Sequence, residues 1–192
     1  MTDERETTMG LRDRREKRQE ERDTFGRGGT ANRYLMRQKL VSIGDDYWVE
    51  DDAGDRVFRV DGKALRLRDT LDLEDASGAK LCRIQTRVLH VRDSMAIEDA
   101  AGERLALVHK ALVSPLRERW KVDRDQGDDW TVQGNIVDHE YEVEADGRKI
   151  AEVSKKWFRA RDTYGVEVAP GEPAALVLAV AIAVDAMAHP SK

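Results

Sequence analysis

Four histidines, one cysteine and a run of cations are the residues of this chain best suited to chemistry. His90, His109, His139 and His189 stand far apart, with no His-Glu-x-x-His pair to grip a metal from one helix face. Asp138-His139-Glu140 is the densest polar cluster. An imidazole between two carboxylates can move protons. The cluster occupies a connection where other parts of the chain carry Arg68-Asp69, Arg92-Asp93 or Arg161-Asp162, so a turn or hydrogen-bonding role is the leading reading. There is no nucleophile elbow and no phosphate-binding glycine loop. The expectation is a chain that is not an enzyme, with no catalytic residue, no metal and no cofactor. Cys82 is in phase with Ile84 and Val88, which marks a small core residue rather than a reactive thiol. A single cysteine also excludes an intrachain disulfide.

Lys155, Lys156, Arg159 and Arg161 form the densest cationic stretch, with Trp157 and Phe158 between them. Clustered cations attract anionic lipid headgroups, and interleaved aromatics can enter a membrane interface. Each cation near such a surface contributes about 1 kcal/mol, so several must act together. These four are the candidate ligand-binding residues. Other cations recur at Lys39, Lys63, Arg87, Lys110 and Lys156, with Gln133 in the fifth slot. Within their strands Lys63, Arg87, Lys110 and Lys156 fall opposite the core phase. They make either a solvated face that discourages edge pairing or a partial ring for a polyanion. The net charge of −5 and a sequence pI near 5.5 argue against a general nucleic-acid binder, which shows a basic domain or stripe.

These groups ride on a repeat of about 24 residues, and such a period dictates architecture. Large residues recur at Tyr47, Leu71, Met95, Trp120, Tyr141 and Tyr164, and turn glycines at Gly54, Gly78, Gly102, Gly127, Gly147 and Gly171. Between them apolar and polar residues alternate: Cys82, Ile84 and Val88 against Arg83, Gln85 and Arg87, for instance. Period-two alternation means strands with one wet and one buried face. Asp51-Asp52-Ala53-Gly54, Asp75-Ala76-Ser77-Gly78 and Asp99-Ala100-Ala101-Gly102 suit type I turns whose glycine takes positive φ and forms a bulge. They lack the ligand spacing of a calcium loop.

The last element differs. From Ala174 to Val184 the chain is apolar on every side, and Pro173 suits a first helical position. Eleven apolar residues fall short of the ~20 that span a bilayer. A helix of ~14 residues is roughly 21 Å long, about the length of a six-residue strand. Six hairpins closed into a barrel leave a lumen that such a rod fills. The predicted fold is therefore mainly β: a closed twelve-stranded antiparallel barrel around a central hydrophobic C-terminal helix at about 173–188. Residues 1–30 carry eight Lys or Arg and eight Asp or Glu with almost nothing to bury, and are expected to be a disordered charged tail before a barrel domain at 31–189. No secretory signal is evident, so the cytoplasm is the expected location, with peripheral contact at a membrane but no transmembrane span. A monomer is expected, with an anionic lipid or small ligand as partner and no nucleic acid.

Several stretches carry a family resemblance. They are Arg33-Tyr34-Leu35-Met36-Arg37-Gln38-Lys39-Leu40, Gly134-Asn135-Ile136-Val137-Asp138-His139-Glu140-Tyr141, and Val153-Ser154-Lys155-Lys156-Trp157-Phe158-Arg159-Ala160-Arg161-Asp162-Thr163-Tyr164-Gly165-Val166 followed by Ala169-Pro170-Gly171. With the closing helix and Asp185 near its end, the chain resembles the LURP-one-related family of the tubby-like superfamily over about residues 33–188. That resemblance implies a twelve-stranded barrel around a C-terminal helix. It implies less about activity: tubby domains bind phosphoinositides and phospholipid scramblases are proposed relatives, but no lipid-binding residue carries over by motif. The expected function is a non-enzymatic binding module for anionic phospholipid headgroups or another polyanion. The alternative is a structural or regulatory interaction module acting through the N-terminal tail.

Overall fold

The computed structural model describes residues 3–37, 47–61, 70–89, 92–111, 118–156 and 163–189. After helix α1 (Asp3–Thr24) come β1 (Asn32–Arg37), β2 (Tyr47–Asp51), β3 (Arg56–Asp61), β4 (Thr70–Asp75), β5 (Lys80–Leu89) and β6 (Arg92–Asp99). The chain continues through β7 (Arg104–Lys110), β8 (Glu118–Arg124), β9 (Trp130–Asn135), β10 (Glu140–Ala145), β11 (Arg148–Ser154) and β12 (Thr163–Val168), and ends in helix α2 (Ala174–Ala188). Every strand pairs antiparallel with its sequence neighbour, and β1 pairs with β12 from Asn32↔Val168 to Arg37↔Thr163, so the sheet closes. Short turns join β2 to β3, β4 to β5, β6 to β7, β8 to β9 and β10 to β11; the sixth pair, β12 with β1, is joined by the two ends of the barrel sequence. The Gly171 turn (φ 85°) leads into α2 instead of another strand.

The Asp-Gly turns work as their residue types require. The Asp51 carboxylate accepts the N–H groups of Ala53 and Asp55 at 2.9 and 3.0 Å, while Gly54 N–H donates to the Asp51 carbonyl at 3.0 Å. The same pattern recurs at Asp75 and Asp99. Gly54, Gly78 and Gly102 sit at φ 83°, 86° and 89°. A one-residue register shift follows in each hairpin, at Val49/Glu50, Leu73/Glu74 and Ile97/Glu98, which is the bulge that left-handed glycine produces.

α2 runs from the short-turn end back through the lumen, and all residues from Leu176 to Asp185 are buried. Pro173 is the N-cap and Ala174 opens the helix, one residue later than the sequence places it; Met187, near the end of the helix, is partly exposed. The alanines explain the fit: a slim rod shares one buried core with Val60, Leu73, Ile84, Ile97 and Val166. Cys82 belongs to this core, and burial, with the charge of Asp99, pushes its thiol up to about 11. Outside, cations meet carboxylates across the strands, as in Arg59–Glu74 at 2.6 Å and Asp72 between Arg83 and Lys80 at 2.9 and 2.7 Å. Burial alone would raise the Asp72 carboxyl, but its two cations hold it below the ordinary value.

The segment expected to be a disordered tail is helical over Asp3–Thr24. It lacks an apolar face, as the sequence indicates, and is held by other means. Phe25 is buried beneath the Lys149 ammonium, 4.8 Å from its ring, and Lys17 donates to the Gly147 carbonyl. Gly26 N–H donates to buried Glu167 at 2.8 Å, and Arg33 pairs with the same carboxylate.

Candidate functional site

The up-and-down order gives the barrel two unlike ends. At one, the turn end, the connections are 25–31, 52–55, 76–79, 100–103, 125–129, 146–147 and 169–173; together they hold eight Asp or Glu and one Arg, Arg27. At the other, the loop end, the connecting sequences 38–46, 62–69, 90–91, 111–117, 136–139 and 155–162 hold nine Lys or Arg against five Asp or Glu. Loops on a rigid scaffold are where binding residues concentrate.

Just inside the loop end lies a rim made by the repeated large residues. Tyr47, Leu71, Met95, Trp120, Tyr141 and Tyr164 open or nearly open the even-numbered strands, and all six are buried. Three carry hydroxyls into the interior. Tyr47, Tyr141 and Tyr164 have no hydrogen-bond partner for their hydroxyl oxygens among the described residues. Burial, and then the charge of Asp185, push all three well above the ordinary tyrosine value.

Asp185 is the centre of this cluster. It sits in the last turn of α2, with its side chain only 2% exposed. That is an unfavourable place for a carboxylate twice over: burial penalises the charge, and the helix C-terminus adds its own negative end. No basic residue occupies the last turn to offset it. Two histidines do approach. His139 Nε2 lies 2.6 Å from Asp185 Oδ1, and His189 Nδ1 lies 3.1 Å from the same oxygen. The two imidazoles stack at 5.3 Å between centroids and 7° between planes, and the Tyr164 ring lies 4.5 Å from that of His139. His139 is 1% exposed and takes φ 54°, a left-handed backbone that turns its ring inward from the β9–β10 connection. Its N–H donates to the Ile136 carbonyl at 3.0 Å. His189 caps α2 and stays 38% exposed at its side chain.

The Asp138-His139-Glu140 cluster is thus divided among three tasks. Asp138 closes the turn with Asn135 at 2.7 Å. His139 goes to the core. Glu140 accepts from Ser154 Oγ at 3.0 Å, from Lys155 N–H at 3.1 Å and from the Lys156 ammonium at 3.0 Å. Of the four candidate ligand-binding residues, Lys155 is half-buried and Lys156 exposed, both directly after β11; Arg159 and Arg161, with Trp157 and Phe158, lie outside the described residues. Of the recurring cations, Arg87 pairs with Glu98 at 2.5 Å and Lys110 lies 5.9 Å over the Trp120 ring; Lys39 and Lys63 lie outside the described residues.

Sequence reading found His139 and Asp185 separately and missed that they meet. It also read the three rim tyrosines as apolar bulk and gave His189 no part. The available signal was chemical: half the rim positions are tyrosine, and one acid interrupts an otherwise apolar helix near its end.

A family model described as LURP-one-related matches residues 32–185. An X-ray structure of a protein from Arabidopsis thaliana superposes with a TM-score of 0.61 at 17% identity, covering 83% of this chain and 91% of that one. No curated protein matches the chain by sequence. Among the described residues, no helix is long and apolar enough to cross a membrane.

Proposed function

Given that the chain belongs to the LURP-one-related family, whose barrel it shares, we propose that it is a non-enzymatic binding module that docks its loop end onto an anionic surface, with phospholipid headgroups as ligand. One observation carries this reading: the connections of that end have nine cations against five acids, whereas those of the opposite end have one against eight, in a chain of net charge −5. A barrel polarised in this way orients in the field of a negative membrane with its loop end inward. The ion pairs on the barrel wall point the same way. Arg59, Arg83, Arg104 and Arg148 are each engaged with a carboxylate, so the wall itself presents little net attraction. Contact of this kind is peripheral, on the cytoplasmic face.

Vesicle flotation tests the proposal. The full chain is expected to float with vesicles containing phosphatidylserine or phosphoinositide, and not with neutral phosphatidylcholine vesicles, in a salt-dependent way. Reversing Lys155, Lys156, Arg159 and Arg161 to Glu is expected to weaken binding by about a hundredfold or more, at about 1 kcal/mol for each cation. Reversing Asp128 and Asp129 at the other end is expected to leave it unchanged. Equal flotation of the wild type and the four-residue variant would rule the patch out.

A further inference from the structure

We propose that His139, Asp185 and His189 form a binding site for a divalent transition-metal ion of the zinc class. One ligand atom from each residue lies within 4.8 Å of the others. Asp185 Oδ1 is approached at 2.6 and 3.1 Å by the two imidazole nitrogens, so all three donors already converge on one point. A four-coordinate ion with bonds of about 2.0–2.1 Å separates its donors by about 3.3 Å. Small side-chain rotations open that space, and the ion takes the place of the proton between His139 and Asp185.

Local electrostatics favour a cation here. The Asp185 carboxylate is buried at the negative end of α2, with no Lys or Arg in that turn. An ion of charge two offsets both penalties. A second, independent feature indicates a polar occupant. His139 Nδ1 and the hydroxyls of Tyr47, Tyr141 and Tyr164 are buried without partners among the described residues, and all three hydroxyls feel the charge of Asp185. Native interiors rarely leave four such atoms unpaired in one place. Water ligands of a bound ion are donors that tyrosine oxygens can accept.

The donor set selects the metal. Two imidazoles and one carboxylate suit zinc, cobalt, nickel or iron; calcium and magnesium require an all-oxygen shell. Cys82 lies in β5 within the barrel core and is no part of the group. Asp185 in the last turn of α2 and His189 at its C-cap stand four residues apart, and His139 comes from the β9–β10 connection, so the ion ties the end of the central helix to the barrel wall. Partly exposed His189 provides the route in from solvent. The proposal does not depend on the headgroup reading.

The test uses the full, untagged chain stripped with a chelator and titrated with Co²⁺. Visible absorption bands are expected to saturate at one equivalent, to be displaced by Zn²⁺, and to accompany a rise in apparent melting temperature. His189→Ala removes a solvent-side ligand without touching a strand. It is expected to melt cooperatively in the absence of metal and to lose affinity by more than the about 10–100-fold that an outer-shell change costs. His109→Ala, on β7, is expected to bind as the wild type does. Absence of bands and of any Zn²⁺-induced stabilisation in the wild type would overturn the proposal. So would stoichiometric bands that survive in both His189→Ala and Asp185→Asn.

Discussion

At the turn end, acidic side chains bond to their own backbone: Asp51, Asp75 and Asp99 each accept two N–H groups within five residues of chain. At the loop end, the central polar pair, His139 with Asp185, joins residues 46 apart in the chain. The first arrangement is complete as soon as its own hairpin forms. The second exists only when the whole barrel is assembled around α2. Local chemistry therefore specifies where the strands turn, and non-local chemistry builds the place where a ligand can be held.

The contrast is sharpest under alkali. Tyr47, Tyr141 and Tyr164 keep their protons when folded and release them near the ordinary tyrosine value, about 10, when unfolded. Their contribution to stability is thus fully present below about pH 10 and is lost as pH rises toward the folded values. Three such groups give a slope of about 4 kcal/mol per pH unit. Urea melts across this range, followed by tyrosinate absorbance, should show that slope, and Tyr141→Phe should remove about a third of it.

Asp185→Ala comes next. It leaves the buried Nε2 of His139 without its partner and opens a gap at the end of α2, for an expected cost of about 3 kcal/mol by chemical denaturation. A loss near zero would mean that the cluster is not the loop end's organising group.

Two glycines then separate the ends directly. At Gly134 (φ 143°) a Cβ would meet the Glu140 carbonyl oxygen at 2.5 Å and Tyr141 Cα at 2.6 Å, backbone atoms that cannot yield. Gly134→Ala should cost about 3 kcal/mol and shift the β9–β10 turn that carries His139. At Gly78 (φ 86°) a Cβ meets nothing within 4 Å. Gly78→Ala then costs only the left-handed backbone, about 1 kcal/mol, with the His139–Asp185 pair undisturbed. Thermal melts of the two variants, with the histidine resonances followed by NMR, check both.

Most of the fold is legible along the chain because its signals are local. Alternation places Ile84 and Val166 inside, and Asp-x-x-Gly places the bulges of the β2–β3, β4–β5 and β6–β7 hairpins, without knowledge of any distant residue. The closing helix is legible for a related reason: only a lumen suits a short rod that is apolar on all sides. The site is not legible in this way. Nothing near His139 in sequence announces a partner 46 positions later. The three tyrosines look like ordinary large core residues until closure aims their hydroxyls at one carboxylate. The N-terminal segment shows the converse. Its composition correctly denies it an apolar face, yet Phe25 and a few polar bonds to β11, β12 and the β10–β11 turn dock its end.

The pairing of β1 with β12 bears on how the protein is made. Asn32 leaves the ribosome long before Val168, its partner, and the rod that fills the lumen is translated after all twelve strands. Until then β1 and β2 form an open ribbon with one unpaired margin, and neighbouring chains on a polysome carry the same margin. Closure therefore waits for β12 and has a large loop to seal, and until then the uncovered margin of β1 is open to pairing with another chain.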